Sequence, residues 1–416
     1  MRYEKDDEYG SKKPGRLLKA AVLLIFAALL GFGAYDTFFG SRILKTKIET
    51  IVLKTESIAA GKTQGEGSAL GEPVKIEEDS RSSFAAYDGG FMQCTKDGVK
   101  YFSLSEGKKW NDTYTMSNPY SVYEGGYTAV FEPSGRSVRL YDKKGIINTI
   151  STDGPIARVS LSENGYVGII SNNSPSYVVS VYDGLKNSCL AVRKEEEENI
   201  YPVDIDISDD GKIFAVSYID ASDVETASKI LFFYTYEKEG KDYPDSMFAG
   251  IQKDGVIIPY IRFMAAGMLA ALSDSSLMGI NSLGVQEWEL ELSNEVDGAG
   301  FENKNYVALA LGDEIPGEEG LKDGTLMFVN MKGKIVSQAE TGESITYLRA
   351  FQGGVVAGGG NVYRLFSYSS GKALWEYRPG YAVKDIIPVN GEKGILVVDS
   401  SSARLVSLSG ETGEGD

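Results

Sequence analysis

From Ser83 onward the chain runs in short alternations of β-branched and aromatic residues, punctuated by clusters of Gly, Asn, Asp and Ser. Runs of that kind are strands, and clusters of that kind are turns. The strand–turn–strand unit, aligned on its turn glycine, recurs at Gly107, Gly145, Gly184, Gly240, Gly284, Gly333, Gly371 and Gly410, with spacings of 38, 39, 56, 44, 49, 38 and 39 residues. A second series of hairpin turns falls at Gly90, Gly126, Gly165, Gly211, Gly267, Lys304-Asn305, Gly354 and residues 390–394. It precedes the first series by 17 to 19 residues in six units and by 29 in two. Two registers locked together in this way mark one repeating module of four strands, A to D. A period near 40 with four strands per module predicts an all-β, eight-bladed β-propeller, with a seven-bladed ring as the alternative.

The ends of the repeat bear on how such a ring closes. In the unit that begins at Ser344, residues 345–350 read as strand A, 355–357 as B, 362–368 as C and 373–378 as D. The last unit supplies A (383–388), B (395–399) and C (404–409) but no D. Ahead of the first unit, residues 72–77 (Glu-Pro-Val-Lys-Ile-Glu) alternate polar and apolar and have no partner of their own. An open ring presents unpaired backbone groups that invite aggregation. The spare strand is therefore expected to pair beside residues 404–409 and close the ring.

The propeller, residues 72–416, follows three segments of different character. Residues 20–35 carry no charge, and their apolar flanks extend the stretch to residues 17–39, the length of one membrane-spanning helix. Residues 1–16 then form a cytoplasmic tail, with Lys12, Lys13 and Arg16 on the side that the positive-inside rule favours, and the rest of the chain is extracytoplasmic. The small residues around Gly31 and Gly33 also suit a cleaved signal peptide, which is the alternative. Residues 40–71 read as a short stalk followed by a flexible linker rich in Gly, Ser and Ala.

Composition removes several classes of function. The sequence contains no histidine, which excludes Ser-His-Asp and Cys-His catalysis and histidine-ligated zinc. A net charge of -17 argues against a nucleic-acid partner, which requires a basic footprint. Two cysteines, Cys94 and Cys189, make neither a disulfide framework nor a thiolate metal site and are expected to be buried small hydrophobes. No metal set, cofactor site or ordered catalytic carboxylate pair stands out, so the chain reads as a non-enzyme without cofactors.

All three tryptophans follow the C–D turn of their unit: Gly107-Lys-Lys-Trp110, Gly284-Val-Gln-Glu-Trp288 and Gly371-Lys-Ala-Leu-Trp375. A large flat side chain there is expected to dock blade against blade. The run from Val362 to Pro379, with Ser370-Gly371-Lys372 and Trp375, resembles the tryptophan-docking repeat of the quinoprotein, or PQQ-like, propellers, and Asn281 with Trp288 fits the same pattern. The hairpin Ser208-Asp-Asp-Gly-Lys212 is similar to that of WD40-like and TolB-like repeats. The whole layout of tail, apolar span, spacer and ring resembles an uncharacterised family of membrane-anchored PQQ-like propellers of Gram-positive, clostridia-type bacteria. That resemblance implies the fold and carries no activity with it.

In a propeller the B–C loops and D-to-A crossings share one face, and the A–B and C–D turns share the other. The two 29-residue intervals place two long B–C insertions, residues 220–228 and 312–324, on the first face. The acidic run Glu195, Glu196, Glu197 and Glu198 lies in a D-to-A crossing and joins them. The candidate partner-binding face therefore comprises these four residues with Asp220, Asp223 and Glu225, and with Asp313, Glu314, Glu318, Glu319 and Asp323. The expected function is a noncatalytic protein–protein interaction scaffold at the cell envelope, for a protein or polymer partner. The alternative is a sensor or binding protein for a small molecule or saccharide held in the central channel.

Overall fold

The computed structural model describes residues 70, 72–87, 89–312, 324–342, 345–359, 361–389 and 394–408. The expected tail, membrane span and most of the linker lie outside these residues; no helix among the described residues is long and apolar enough to cross a membrane. The described strands form eight sheets of four strands each, every sheet antiparallel and ordered as its strands occur in the chain except the last. Blade 1 runs from Ser83–Tyr87 to Gly107–Thr113, blade 2 from Tyr120–Glu124 to Gly145–Ser151, and blade 3 from Ile156–Leu161 to Ser188–Glu195. Blade 4 spans Ile200–Ile207 to Met247–Asp254, blade 5 Tyr260–Phe263 to Gln286–Glu291, and blade 6 Glu295–Gly300 to Ile335–Glu340. Blade 7 spans Tyr347–Phe351 to Ala373–Tyr377. This is the eight-bladed ring expected from the repeat.

Blade 8 is the composite one. Its strands Asp385–Pro388, Gly394–Val398 and Ser402–Ser407 take their fourth partner from Val74–Lys75, with Val74 opposite Ala403 and Lys75 opposite Ser402. The Leu70 amide donates to the Leu405 carbonyl at 2.8 Å and the Ile76 amide to the Ser401 carbonyl at 2.9 Å, extending the pairing at both ends. Gln93 of blade 1 then grips the backbone of Glu77 from both sides, accepting from its N–H at 3.1 Å and donating to its carbonyl at 2.7 Å. The spare strand closes the ring in this way.

Strand B of each blade is a near-continuous apolar run buried nearly throughout, and strand C buries at least half of its residues beside it. The hydrophobic clusters join consecutive blades: Leu140 of blade 2 packs with Val159 and Leu161 of blade 3, and Phe232 of blade 4 with Phe263 and Leu269 of blade 5. Stability thus resides largely between blades, through area removed from water.

Each C–D pair of blades 1 to 7 also carries a bulge near its turn. A bulge adds a residue on one strand and sharpens the local twist. In blades 1, 5 and 7 the residue after the extra one is tryptophan. The bulge turns each indole toward the next blade, where its N–H donates to a backbone carbonyl: Trp110 to Lys143 at 2.9 Å, Trp288 to Met331 at 3.0 Å and Trp375 to Ser407 at 3.1 Å. The Trp288 ring lies between Gly279 of its own blade and Gly333 of the next, and a Cβ at Gly333 would meet it at 2.6 Å. Gly333 also holds φ +70, so glycine is required there twice over.

Candidate functional site

Strand A of each blade faces the central channel, and several of these strands place a charge within an otherwise apolar run. Asp204 and Asp206 of blade 4 accept the backbone amides of Ile261 (2.9 Å) and Phe263 (2.6 Å) from blade 5. The two carboxylates thereby satisfy a strand edge that no neighbouring backbone reaches. Arg158 of blade 3 bonds Asp204 at 2.5 Å, and Arg349 of blade 7 forks onto Asp385 of blade 8 at 2.7 and 2.8 Å. Tyr347 adds its hydroxyl to Asp385 at 2.6 Å.

At the end of the channel nearest the A–B turns the network crosses the ring. Arg262 of blade 5 binds Asp206 at 3.3 Å and reaches Glu124 of blade 2 at 3.0 Å. Lys304 of blade 6 stands 3.6 Å from the same Glu124 and 3.3 Å from Asp209 of blade 4. Blades 2 and 6 are diametrically opposed, so these side chains brace the hub. Burial pushes the Asp206 carboxyl up to about 6 against the pull of Arg262 and Lys304, while its carboxylate neighbours hold the Arg262 guanidinium well above its usual range. Such a network locks geometry.

The face of B–C loops and D-to-A crossings carries the described acidic residues picked out from the sequence, those from Glu195 to Glu198 and from Asp220 to Glu225. The crossing after Glu195 and the loop after Asp220 are tied by the Ala221 amide donating to the Asn199 carbonyl at 2.8 Å. The structure thus brings Glu196, Glu197, Glu198, Asp223 and Glu225 together, all exposed. Three of the expected residues are already engaged, Glu196 by an exposed ion pair with Lys194. Glu195 is part-buried, accepting from Arg193 at 3.2 Å and from the Tyr218 hydroxyl at 2.8 Å. Asp220 pairs with Lys229 at 2.6 Å, and that bond with one from Ser222 holds its carboxyl down at about 2. Asp313, Glu314, Glu318, Glu319 and Asp323 lie outside the described residues. Among the described residues no three His, Cys, Asp or Glu side chains are grouped as a metal ion would require.

Two expectations need correction. The 29-residue interval of blade 4 is only partly a B–C insertion: strands Ile213–Asp220 and Ala227–Tyr234 are joined by six residues, and twelve more separate Tyr234 from strand Met247–Asp254. That second insertion, with the short helix Glu237–Gly240, lies in the C–D connection and therefore on the opposite face, and Gly240 is part of it rather than of a tight turn. A long interval between turn signals cannot by itself say which of two loops is long. Cys94 is buried as expected, but Cys189 is exposed, because strand D of blade 3 is the outer strand and its near end faces water.

The second face differs in kind. Blades 2 to 7 each leave an apolar side chain exposed in the C–D connection or at the start of strand D: Ile146, Leu185, Tyr243 and Met247, Leu283 and Val285, Ile335, and Leu374. Exposed lysines share the turns, namely Lys143, Lys144, Lys186, Lys332, Lys334 and Lys372. Beside the closure seam a groove of about 320 Å³ is lined by Leu70, Glu72, Val74, Leu104, Ser105, Ala403 and Leu405.

The hub residues and this lysine–apolar rim were not picked out from the sequence. For the hub a signal existed: a lone charge within strand A, as in Tyr-Ile-Arg262-Phe or Tyr-Leu-Arg349-Ala-Phe, recurs from blade to blade.

Residues 66–408 match a family described as a family of unknown function, DUF5711. No curated protein matches the chain. Among solved structures, BamB from Moraxella catarrhalis is similar at 10% identity and a TM-score of 0.51, over 82% of this chain and 99% of that one. A chain of a mitotic checkpoint complex is similar at 9% identity and a TM-score of 0.42, over 88% of this chain and 100% of that one. At 10% identity the likeness to BamB speaks to the fold alone.

Proposed function

The chain belongs to the DUF5711 family, and we propose that it is a noncatalytic interaction scaffold, anchored through residues 17–39 with its propeller outside the cell, which docks a basic partner on its acidic face. The observation that carries this reading is the joined pair of loops of blades 3 and 4, which set Glu196, Glu197, Glu198, Asp223 and Glu225 on one rigid rim. Loops fixed on a rigid scaffold are where binding chemistry usually sits, and concentrated charge of one sign steers a partner of the opposite sign. The tryptophan docks agree with a PQQ-like ring, in which the repeat supplies stiffness. The channel reading is weaker, because Arg262, Lys304 and Glu124 span the space a ligand would occupy.

Proximity crosslinking of the full chain in cells, set beside a variant with those five acids changed to lysine, tests the proposal. The expected result is at least about a tenfold fall in capture of the partner, with an unchanged melting temperature, since all five are exposed. Capture indifferent to the charge reversal would overturn it.

A further inference from the structure

The two faces differ in charge and in exposed apolar surface, and the chain enters the ring on one of them. We propose that the face bearing the A–B and C–D turns seats on an anionic phospholipid surface. This deepens the anchored reading above and rests on it.

Strand Val74–Lys75 runs antiparallel to Ser402–Ser407, and the Leu70 amide bonds Leu405, near the C–D end of that strand. The chain preceding the propeller therefore arrives at the C–D face. Residues 40–69 separate Leu70 from the apolar stretch 17–39, so the chain leads from this face, and not from the acidic one, to the segment that the anchored reading puts in the bilayer.

The chemistry of the face suits that neighbour. Leu283 is 72% exposed, Val285 57% and Leu374 56%, and such side chains recur from blade to blade here, whereas the described part of the acidic face holds Val224 alone. Lys143, Lys144, Lys332 and Lys334 stand beside such residues on blades 2 and 6. Lysine interleaved with aliphatic side chains is the signature of an interfacial surface, where ammonium groups meet lipid phosphates and the apolar groups enter the headgroup region. The acidic face, repelled by the same lipids, then turns away from the bilayer toward its partner. Acids interrupt the pattern elsewhere: the insertion of blade 4 carries Glu237, Glu239, Asp242 and Asp245, and Glu106, Glu163, Asp210 and Glu287 are exposed at the turns of blades 1, 3, 4 and 5, so the seat lies on blades 2, 6 and 7.

Cys189 is exposed at the start of strand D of blade 3, beside Leu185 and Lys186, and Cys94 is buried, so a thiol-reactive fluorophore reports from this face of the full chain. The labelled protein is reconstituted into vesicles of phosphatidylcholine, with or without phosphatidylglycerol, that contain a headgroup nitroxide quencher. Strong quenching is expected with the anionic lipid and weak quenching without it, with the docked-to-free ratio falling about fivefold per lysine reversed in K332E and K334E. Leu374→Asp should weaken docking as well, and 0.5 M salt should abolish the difference between lipids.

Equal quenching in both lipids, unmoved by these variants, would overturn the proposal. So would quenching that rises with protein concentration, which would assign the face to a second copy. Flotation of the full chain with neutral vesicles in high salt reads the anchor separately. Its failure would remove the anchored reading while the lipid-charge dependence is still read from the label.

Discussion

The junction between blades 5 and 6 and the seam between blades 8 and 1 hold the same ring together by different means. At the ordinary junction Trp288 is clamped between Gly279 and Gly333 and bonded to Met331, and two further bonds join Lys304 to Ala265 and Phe263, so apolar area and a few short-range bonds do the work. At the seam strand D is two residues long, and polar fastenings are added to the burial of Phe84, Phe91 and Phe102 against Ile387, Leu396 and Val398. Arg349 reaches past blade 8 to the Phe84 carbonyl of blade 1 at 3.1 Å, Lys384 bonds the Asp79 carbonyl, and Gln93 holds Glu77. An ordinary junction is built within continuous chain and can rely on non-directional burial. A seam must bring together distant parts of the sequence in one register, and directional bonds specify that register.

The contrast can be broken at its strongest point first. Deleting residues 72–77 removes the strand pairing, the Gln93 clamp and the packing of Val74 and Ile76, and should cost roughly 5 kcal/mol with aggregation through the bared edge. Urea unfolding of the deleted chain with a midpoint equal to that of the parent would show that the ring does not depend on its seam.

A paired substitution sharpens the comparison. Arg349→Met strands the buried Asp385 and should cost about 4 kcal/mol, whereas Trp288→Ala, which removes a half-buried ring, should cost about 3 kcal/mol. The reverse order in denaturant melts would mean that burial, rather than polar bonding, dominates at both places.

The smallest expected effect is a pH dependence at the junction of blades 4 and 5. The Asp206 carboxyl is raised from 3.8 to about 6 by burial, so in that interval the folded protein holds a proton that the unfolded chain has released. This term favours folding at the acid end of the interval and is lost as pH rises toward 6. Between pH 4.5 and 6.5 it changes by about 2 kcal/mol. Comparing unfolding free energies of the parent and Asp206→Asn at pH 4.5 and 6.5 isolates it, and an identical slope for both proteins would remove Asp206 as the cause.

Much of this architecture is legible in the sequence because a propeller repeats its instructions. The turn glycines, the strand alternation, the spare strand at residues 72–77 and the tryptophans after the C–D turns each report a local requirement, and local requirements leave local signatures. The candidate site is less legible. Acidic runs announce themselves, but whether a carboxylate is available depends on its neighbours: Glu195 and Asp220 look like Glu197 and Asp223 in sequence, yet Arg193, Tyr218 and Lys229 occupy the first two. The insertion of blade 4 was assigned wholly to one face because glycine spacing counts residues without saying on which side of strand C they lie.

By itself the sequence determined the module, the number of modules and the way the ring closes, since each follows from periodicity and from one strand missing at one end and spare at the other. Tertiary structure alone decided what the hub is and what the faces are. Arg262 meets Glu124 across 138 residues of chain, and the C–D connections bring exposed apolar side chains of blades 2 to 7 and lysines of blades 2, 3, 6 and 7 to one face. No local pattern encodes such meetings, because the circular order of blades, rather than distance along the chain, determines which charges face each other and which side of the disc a turn belongs to.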